Sequence, residues 1–208
     1  VLIQSDLVMA AQKLAAIQFY YANKGLTLSQ AVLSGSPSFV EWQHYPRNDF
    51  ADSVSGYEFY YHAHSAQETP SDEHGHFHVF KRDLLDQSRF THLIGVSLNH
   101  LGIPVRIFTT NQWVTGEQFQ WADRVMEDIR QFHLHAKGRM APIANWLGAF
   151  IRLFIHEIEQ LVLARDLRVA SLSERMELAK VLEFREHHVL TQWVALYLHR
   201  LEHVSLHP

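Results

Sequence analysis

The sequence predicts an α+β fold. An antiparallel β-sheet of about four or more strands, roughly residues 40–112, packs against N-terminal helices and a C-terminal helical bundle. Three observations lead there: apolar residues recur at helical spacing from Ser5 to Asn23, alternate with period two between Tyr57 and Thr110, and return to helical spacing from Thr115 onward. A chain of 208 residues suits one domain, 1–208, divided into a helical 1–36, a histidine-rich β region 37–114 and a helical 115–208.

Leu7, Val8, Ala11, Leu14, Ala15, Ile17 and Phe19 form the first helical stripe, and Gly25 stops it. Thr27-Leu28-Ser29-Gln30 reads as a capping box opening a short helix that ends at Ser34-Gly35-Ser36-Pro37. Pro46, Asn48, Asp49, Asp52, Ser53, Ser55 and Gly56 mark a loop. Tyr57–His64 and His76–Lys81 then alternate as strands, before a second antiparallel pair, His92–Leu98 and Val105–Thr110. Thr115-Gly116-Glu117-Gln118 has the form of another capping box, for a helix through about His135. Pro142 suits the first turn of the next helix, which runs to about Leu167. Ser171-Leu172-Ser173-Glu174 caps the segment after it, and Phe184, His188, Trp193, Tyr197, Leu201 and Val204 continue a helical stripe.

Composition narrows the function. Hydrophobic residues at 47% and charged residues at 19% are those of a globular protein in water. A net charge of −4 without a basic stripe argues against nucleic acid as a partner. Ile143 to Ala164 is interrupted by Arg152, His156, Glu157 and Glu159, so a buried helix is expected there rather than a membrane span. The N-terminus shows no charged segment ahead of an apolar stretch, and a cytoplasmic protein is expected. With no cysteine there are no disulfides, no thiolate metal ligands and no thiol nucleophile. Gly-rich phosphate loops and Gly-x-Ser-x-Gly elbows are missing from the sequence as well.

The sixteen histidines are roughly three times the usual share and never form a run, so their arrangement carries the information. Side chains at i and i+2 of a strand share a face. Glu58, Tyr60, His62 and His64 therefore project together, as do His76, His78 and Phe80 on the returning strand. Pairing His64 with His76, His62 with His78 and Tyr60 with Phe80 would bring the imidazoles of a β-hairpin onto one ion. Cβ atoms of opposed residues are about 4.5–5.5 Å apart, and nitrogen–metal bonds are about 2.0–2.1 Å. The intervening Ser65–Gly75 carries Glu68, Glu73 and His74, which compete to complete the coordination or to orient a ligating imidazole. Tyr60 and Glu58, on the same face, are candidate proton-transfer groups.

Other histidines carry less. His92 shares strand parity with Ile94, Val96 and Leu98 and reads as a core histidine, unless its strand lies beside the hairpin. His44 could approach an edge of the site. His133 and His135 fall on different sides of a helix. His156 with Glu159, and His199 with His203, have chelating spacing but no partner helix in evidence.

Gly56, His62, His64, Glu68 and Gly75 fit Gly-x5-His-x-His-x3-Glu-x6-Gly, and so resemble the first metal motif of the cupin family. That resemblance implies metal ligation by His62, His64 and Glu68. The second cupin motif does not appear after it, and the helical last third is unlike a small double-stranded β-helix. Over most of the chain, Glu41-Trp42-Gln43-His44-Tyr45-Pro46, Tyr60-Tyr61-His62-Ala63-His64, Glu73-His74-Gly75-His76-Phe77-His78 and Phe108–Glu117 resemble an uncharacterised bacterial family of unknown function, which implies no activity.

The expected function is thus binding of a transition metal ion (Fe, Zn, Mn, Ni or Cu), because an all-nitrogen/oxygen donor set suits these ions. A mononuclear metalloenzyme acting on a small-molecule substrate, with oxidative chemistry ahead of hydrolysis, is the first expectation. A non-catalytic metal-handling or structural protein and a metal-free binding module are the alternatives. The sequence leaves the oligomeric state open.

Overall fold

Tyr57, Phe59 and Tyr61 alternate with Glu58, Tyr60 and His62, and that alternation decides how the sheet faces. The computed structural model describes residues 2–33, 36, 38–64 and 72–206. Helices α1 (Leu2–Ala22) and α2 (Leu28–Val32) precede strands β1 (Tyr45–Ala51), β2 (Tyr57–His62), β3 (Gly75–Arg82), β4 (Phe90–Leu98) and β5 (Pro104–Thr110). Helices α3 (Gln112–Thr115), α4 (Ala122–Arg130), α5 (Ala141–Leu153), α6 (Ile155–Ser173) and α7 (Leu178–Leu182), strand β6 (Val189–Val194) and helix α8 (Tyr197–Leu206) complete the chain. The six strands form one antiparallel sheet in chain order, packed against α1 and the C-terminal helices α4–α8. The fold is α+β, as the change of period predicts.

One face of the sheet is the floor of the apolar core. Tyr57, Phe59, Tyr61, Phe77, Val79, Ile94, Val96, Leu98 and Ile107 join Leu14 of α1 and Ile143, Trp146, Leu147 and Phe150 of α5 in a single buried cluster. Trp146 is its largest fully buried side chain, 6.0 Å from Phe77 and stacked at 5.2 Å on Phe150 (ring centroids). The expected capping box at Thr27 is present in full, with Gln30 as its partner, and Pro142 lies in the first turn of α5.

Several boundaries differ from the sequence expectation, each for a local reason. Residues 45–51 form β1 rather than loop. It pairs with β2 at Tyr45↔Tyr61, then at Phe50↔Phe59, and the residues between bulge out, with Asp49 at φ 51. That bulge accommodates Pro46 and Asp49, which read as loop residues. Val189–Val194 is a strand, not helix. As an edge strand it buries only Leu190 among its six residues, so no alternation betrays it. Thr115 opens no helix: Gly116 ends α3 in the left-handed region (φ 69), and α4 begins only at Ala122 and stops at Arg130, short of His133 and His135. Ser171 and Ser173 lie in the last turn of α6 and cap no later helix.

The core position of Trp146 sets its expected weight. Trp146→Ala should cost about 3–5 kcal/mol in urea denaturation. Trp193→Ala on the edge strand, 48% exposed, should stay within about 0.5 kcal/mol. Equal losses would show that the core is not organised around α5.

Candidate metal centre

The opposite face of the sheet is polar at its centre. In β2 and β3 the pairs are His62↔His76, Tyr60↔His78 and Glu58↔Phe80. This register lies two residues from the pairing expected from the sequence. A shift of two preserves every face, whereas a shift of one would have inverted them. His62, His76 and His78 therefore stand together, 8%, 5% and 3% exposed, with one ring nitrogen from each within 4.8 Å of the others. This buried triad could hold a metal ion.

Its hydrogen bonds say where the protons are. Glu73 accepts from Nδ1 of His76 at 2.6 Å, and Arg106 holds the other carboxylate oxygen at 2.6 Å. Burial alone would raise the Glu73 carboxyl, but the His76 hydrogen bond and charge, Arg106 and Ser97 bring it down to about 2. An ionised carboxylate only accepts, so His76 carries a proton on Nδ1. Its Nε2 lies 2.8 Å from Nε2 of His62; with His76 neutral, the His62 N–H is the donor between them. His78 Nδ1 is 2.9 Å from Nε2 of His92, and His92 Nδ1 is 3.1 Å from the Thr110 hydroxyl.

His92 is thus not the separate core histidine its parity suggests. Val79 pairs with Ile94 but Phe80 pairs with His92, so β4 bulges by one residue at Leu93. The bulge changes the parity of β4 and delivers His92 to the histidine face. Its backbone N–H donates to Glu117 Oε2 at 2.5 Å. Burial raises the Glu117 carboxyl to about 8, against the pull of that N–H and of Arg165. Gly95, opposite His78, makes room for an aromatic wall: a Cβ there would lie 2.2 Å from the Phe108 ring, which stands edge-on to His76 and His78.

Residues 8–194 match a family described as a domain of unknown function, DUF6969. The chain belongs to the DUF6969 family. No curated protein and no solved structure matches it. The sheet of this DUF6969 chain is one antiparallel meander, so the cupin likeness is confined to local spacing. No helix among the described residues is long and apolar enough to cross a membrane.

The DUF6969 chain sorts the candidate residues by position. His62, His76 and His78 come together, and Glu73 stands behind His76. His64 lies just past β2, half-buried, with its ring stacked on Trp42 at 4.2 Å and 4.9 and 5.1 Å from the rings of His62 and His76. His74 turns away, its Nδ1 2.8 Å from the Tyr61 hydroxyl and its ring against Phe39 and His100. Glu58 is held by Arg82 through two hydrogen bonds, one of them 2.8 Å. Tyr60 packs between His44, stacked at 3.6 Å, and the rings of His62 and His78, and burial raises its hydroxyl pKa. Nδ1 of His44 lies 2.8 Å from the Asp49 carboxylate. Glu68 lies outside the described residues. Arg106, Phe108, Thr110 and Glu117 were not singled out from the sequence as site residues. Arg106, Phe108 and Thr110 sit at alternate positions of β5, a signal that strand parity carries once β5 is known to face the histidines.

Desolvation keeps the imidazoles neutral. Burial, then the neighbouring histidines, lowers His62 from 6.5 to about 2; burial and Arg165 lower His92 to about 3; His78 falls well below its ordinary value for reasons like those of His62. In the unfolded chain these groups take up protons as pH falls through 6.5, while the folded chain leaves them neutral. Stability present above pH 6.5 is therefore lost below it, by about 1.4 kcal/mol per pH unit for each group. Glu117 acts in the other direction. Its folded value of about 8 against an ordinary 4.5 removes stability as pH rises between the two. Three groups outweigh one, so the urea midpoint of the metal-free protein should fall from pH 7 to pH 5. A flat or rising midpoint over that interval would mean the imidazoles are not held neutral.

Proposed function

We propose that this chain is a transition-metal protein in which His62, His76 and His78 hold one ion and leave a coordination position open. The observation that carries this reading is the triad itself: three buried imidazoles on one sheet face, one of them held at Nδ1 by Glu73 with its Nε2 beside the Nε2 of His62. The carboxylate–histidine pair is the usual outer support of a metal-bound imidazole. Nitrogen donors without thiolate suit zinc, iron(II), manganese, nickel or copper(II).

The 2.8 Å separation of the His62 and His76 Nε2 atoms is a hydrogen-bond distance. Two nitrogens bound tetrahedrally to one ion at about 2.05 Å stand about 3.3 Å apart. Binding therefore replaces the proton between the rings with the ion and spreads them by about half an ångström. His62 must move its proton to Nδ1, whereas His76 needs no change.

Three protein ligands with an open position are the arrangement of catalytic sites rather than closed structural ones, which supports metal-dependent chemistry on a small molecule. Nothing in the donor set favours oxidation over hydrolysis, so the expectation of oxidative chemistry gains no support. The chain's burial of the triad favours a second reading, non-catalytic metal holding. Two cavities of about 430 and 380 Å³ lie elsewhere, beside Lys81, Arg89 and Arg124 and beside Lys13, His133 and Arg152.

Tag-free protein titrated with zinc, iron(II), manganese, nickel or copper(II) should take up about one ion per chain of at least one of them. His62→Ala and His76→Ala should each abolish uptake, and His74→Ala, whose ring is turned to Tyr61, should leave it intact. Uptake below about 0.1 ion per chain for all five metals would refute the reading. With cobalt(II) at the site, a change in the visible spectrum on adding azide supports the open position; an unchanged spectrum favours simple metal holding.

A further inference from the structure

The third ligand of the triad differs from the first two in what lies behind it. His76 has its proton fixed by a carboxylate that can only accept, but His78 meets another imidazole. The single proton between His78 Nδ1 and His92 Nε2, 2.9 Å apart, can belong to either ring. If it sits on His92, the Thr110 hydroxyl donates to His92 Nδ1 at 3.1 Å, and neutral His78 carries its own proton on Nε2, where no ion can bind. If it sits on His78, His92 carries its other proton on Nδ1 and donates to the Thr110 oxygen. His78 Nε2 is then a lone pair. A hydroxyl both donates and accepts, so Thr110 satisfies both arrangements.

We infer that His92, backed by Thr110, is the positioning residue that accepts the Nδ1 proton of His78 and so supports its metal-binding tautomer. The inference rests on the reading that the triad holds an ion. His92 acts through His78 and does not itself touch the metal. It stands there because β4 bulges at Leu93, bringing it opposite Phe80 beside His78. Its backbone is held by Glu117 and its ring by the hydrogen bonds to His78 and Thr110. The metal thus has two outer supports of different kinds: a carboxylate that fixes His76 permanently, and an imidazole–hydroxyl pair that accepts the ligating form of His78 when an ion arrives.

The test uses the full chain loaded with zinc, its affinity read by competition with a chromophoric chelator. His92→Phe keeps the ring but removes the acceptor, and should bind zinc about 10–100-fold more weakly. Thr110→Val should lose about tenfold, at the lower end of that range. His92→Gln offers a carbonyl to His78 and an amide N–H to Thr110, and should restore affinity close to that of the unsubstituted chain. A purely structural role would show as lowered melting temperature with no rescue of affinity by Gln.

A second measurement needs no substitution. Two-bond proton–nitrogen correlation spectra of the zinc-loaded protein should show His78 protonated at Nδ1. A proton at Nε2, or zinc affinity unchanged in a folded His92→Phe protein, would overturn the inference while leaving the triad intact. Failure of the unsubstituted chain to bind any of the five metals would overturn the triad reading and this inference together.

Discussion

A buried imidazole is stabilised by hydrogen-bond partners at its ring nitrogens, and the polar face of this sheet is built around a series of such bonds. Leaving one such group without a partner costs about 1–3 kcal/mol, a sizeable part of a domain's stability. Here the partners are supplied in series. Glu73 and Arg106 serve His76, His76 serves His62, and Thr110 serves His92, which serves His78. Desolvation keeps His62, His78 and His92 neutral, and neutrality is what lets such rings accept hydrogen bonds instead of repelling. The apolar face obeys the opposite logic: Tyr57, Phe59, Tyr61, Phe77 and Val79 need only be covered, and α1 and α5 cover them. One strand pair thus separates the apolar groups that the helices cover from the hydrogen-bonded histidine cluster.

Under the proposed function, the same hydrogen bonds make the metal-free and metal-loaded states two solutions to one problem. A proton between His62 and His76 pairs one ring as donor with the other as acceptor without any ion. In the proposed metal protein an ion would compete with that proton on nearly the same geometry. Phe108, lying over Gly95, and Trp42, stacked on His64, wall the site with aromatic rings. Phe108 is buried, whereas Trp42 is half exposed, so the wall is closed to water on the Phe108 side.

Much of this was legible in the sequence, and the rest was hidden for identifiable reasons. Parity alone placed His62, His76 and His78 together, because a two-residue error in register leaves the faces unchanged. The same error paired His64 with His76, whereas His64 lies just past the last paired residue of β2, its ring beside those of His62 and His76. Glu73 was among several acidic candidates; its role depends on Arg106, 33 positions away in sequence. Glu117 looked like the third residue of a capping box, yet its carboxyl accepts from His92, a tertiary contact that no local pattern encodes. Strands β1 and β6 escaped because a bulge and an exposed edge erase alternation. In each case the fault lay in contacts distant along the chain or in a break of period, and the type of fold was unaffected.

The bulge at Leu93 also bears on how this centre would be found elsewhere. His92 and Gly95 face the same side of β4 although they are three residues apart, an interval that a regular strand assigns to opposite sides. A search template that insists on every second position would therefore discard any chain built like this one. The useful signature is His-x-His on one strand and His-x-x-Gly on the next, as at His76, His78, His92 and Gly95. In that spelling the irregularity becomes the distinguishing mark.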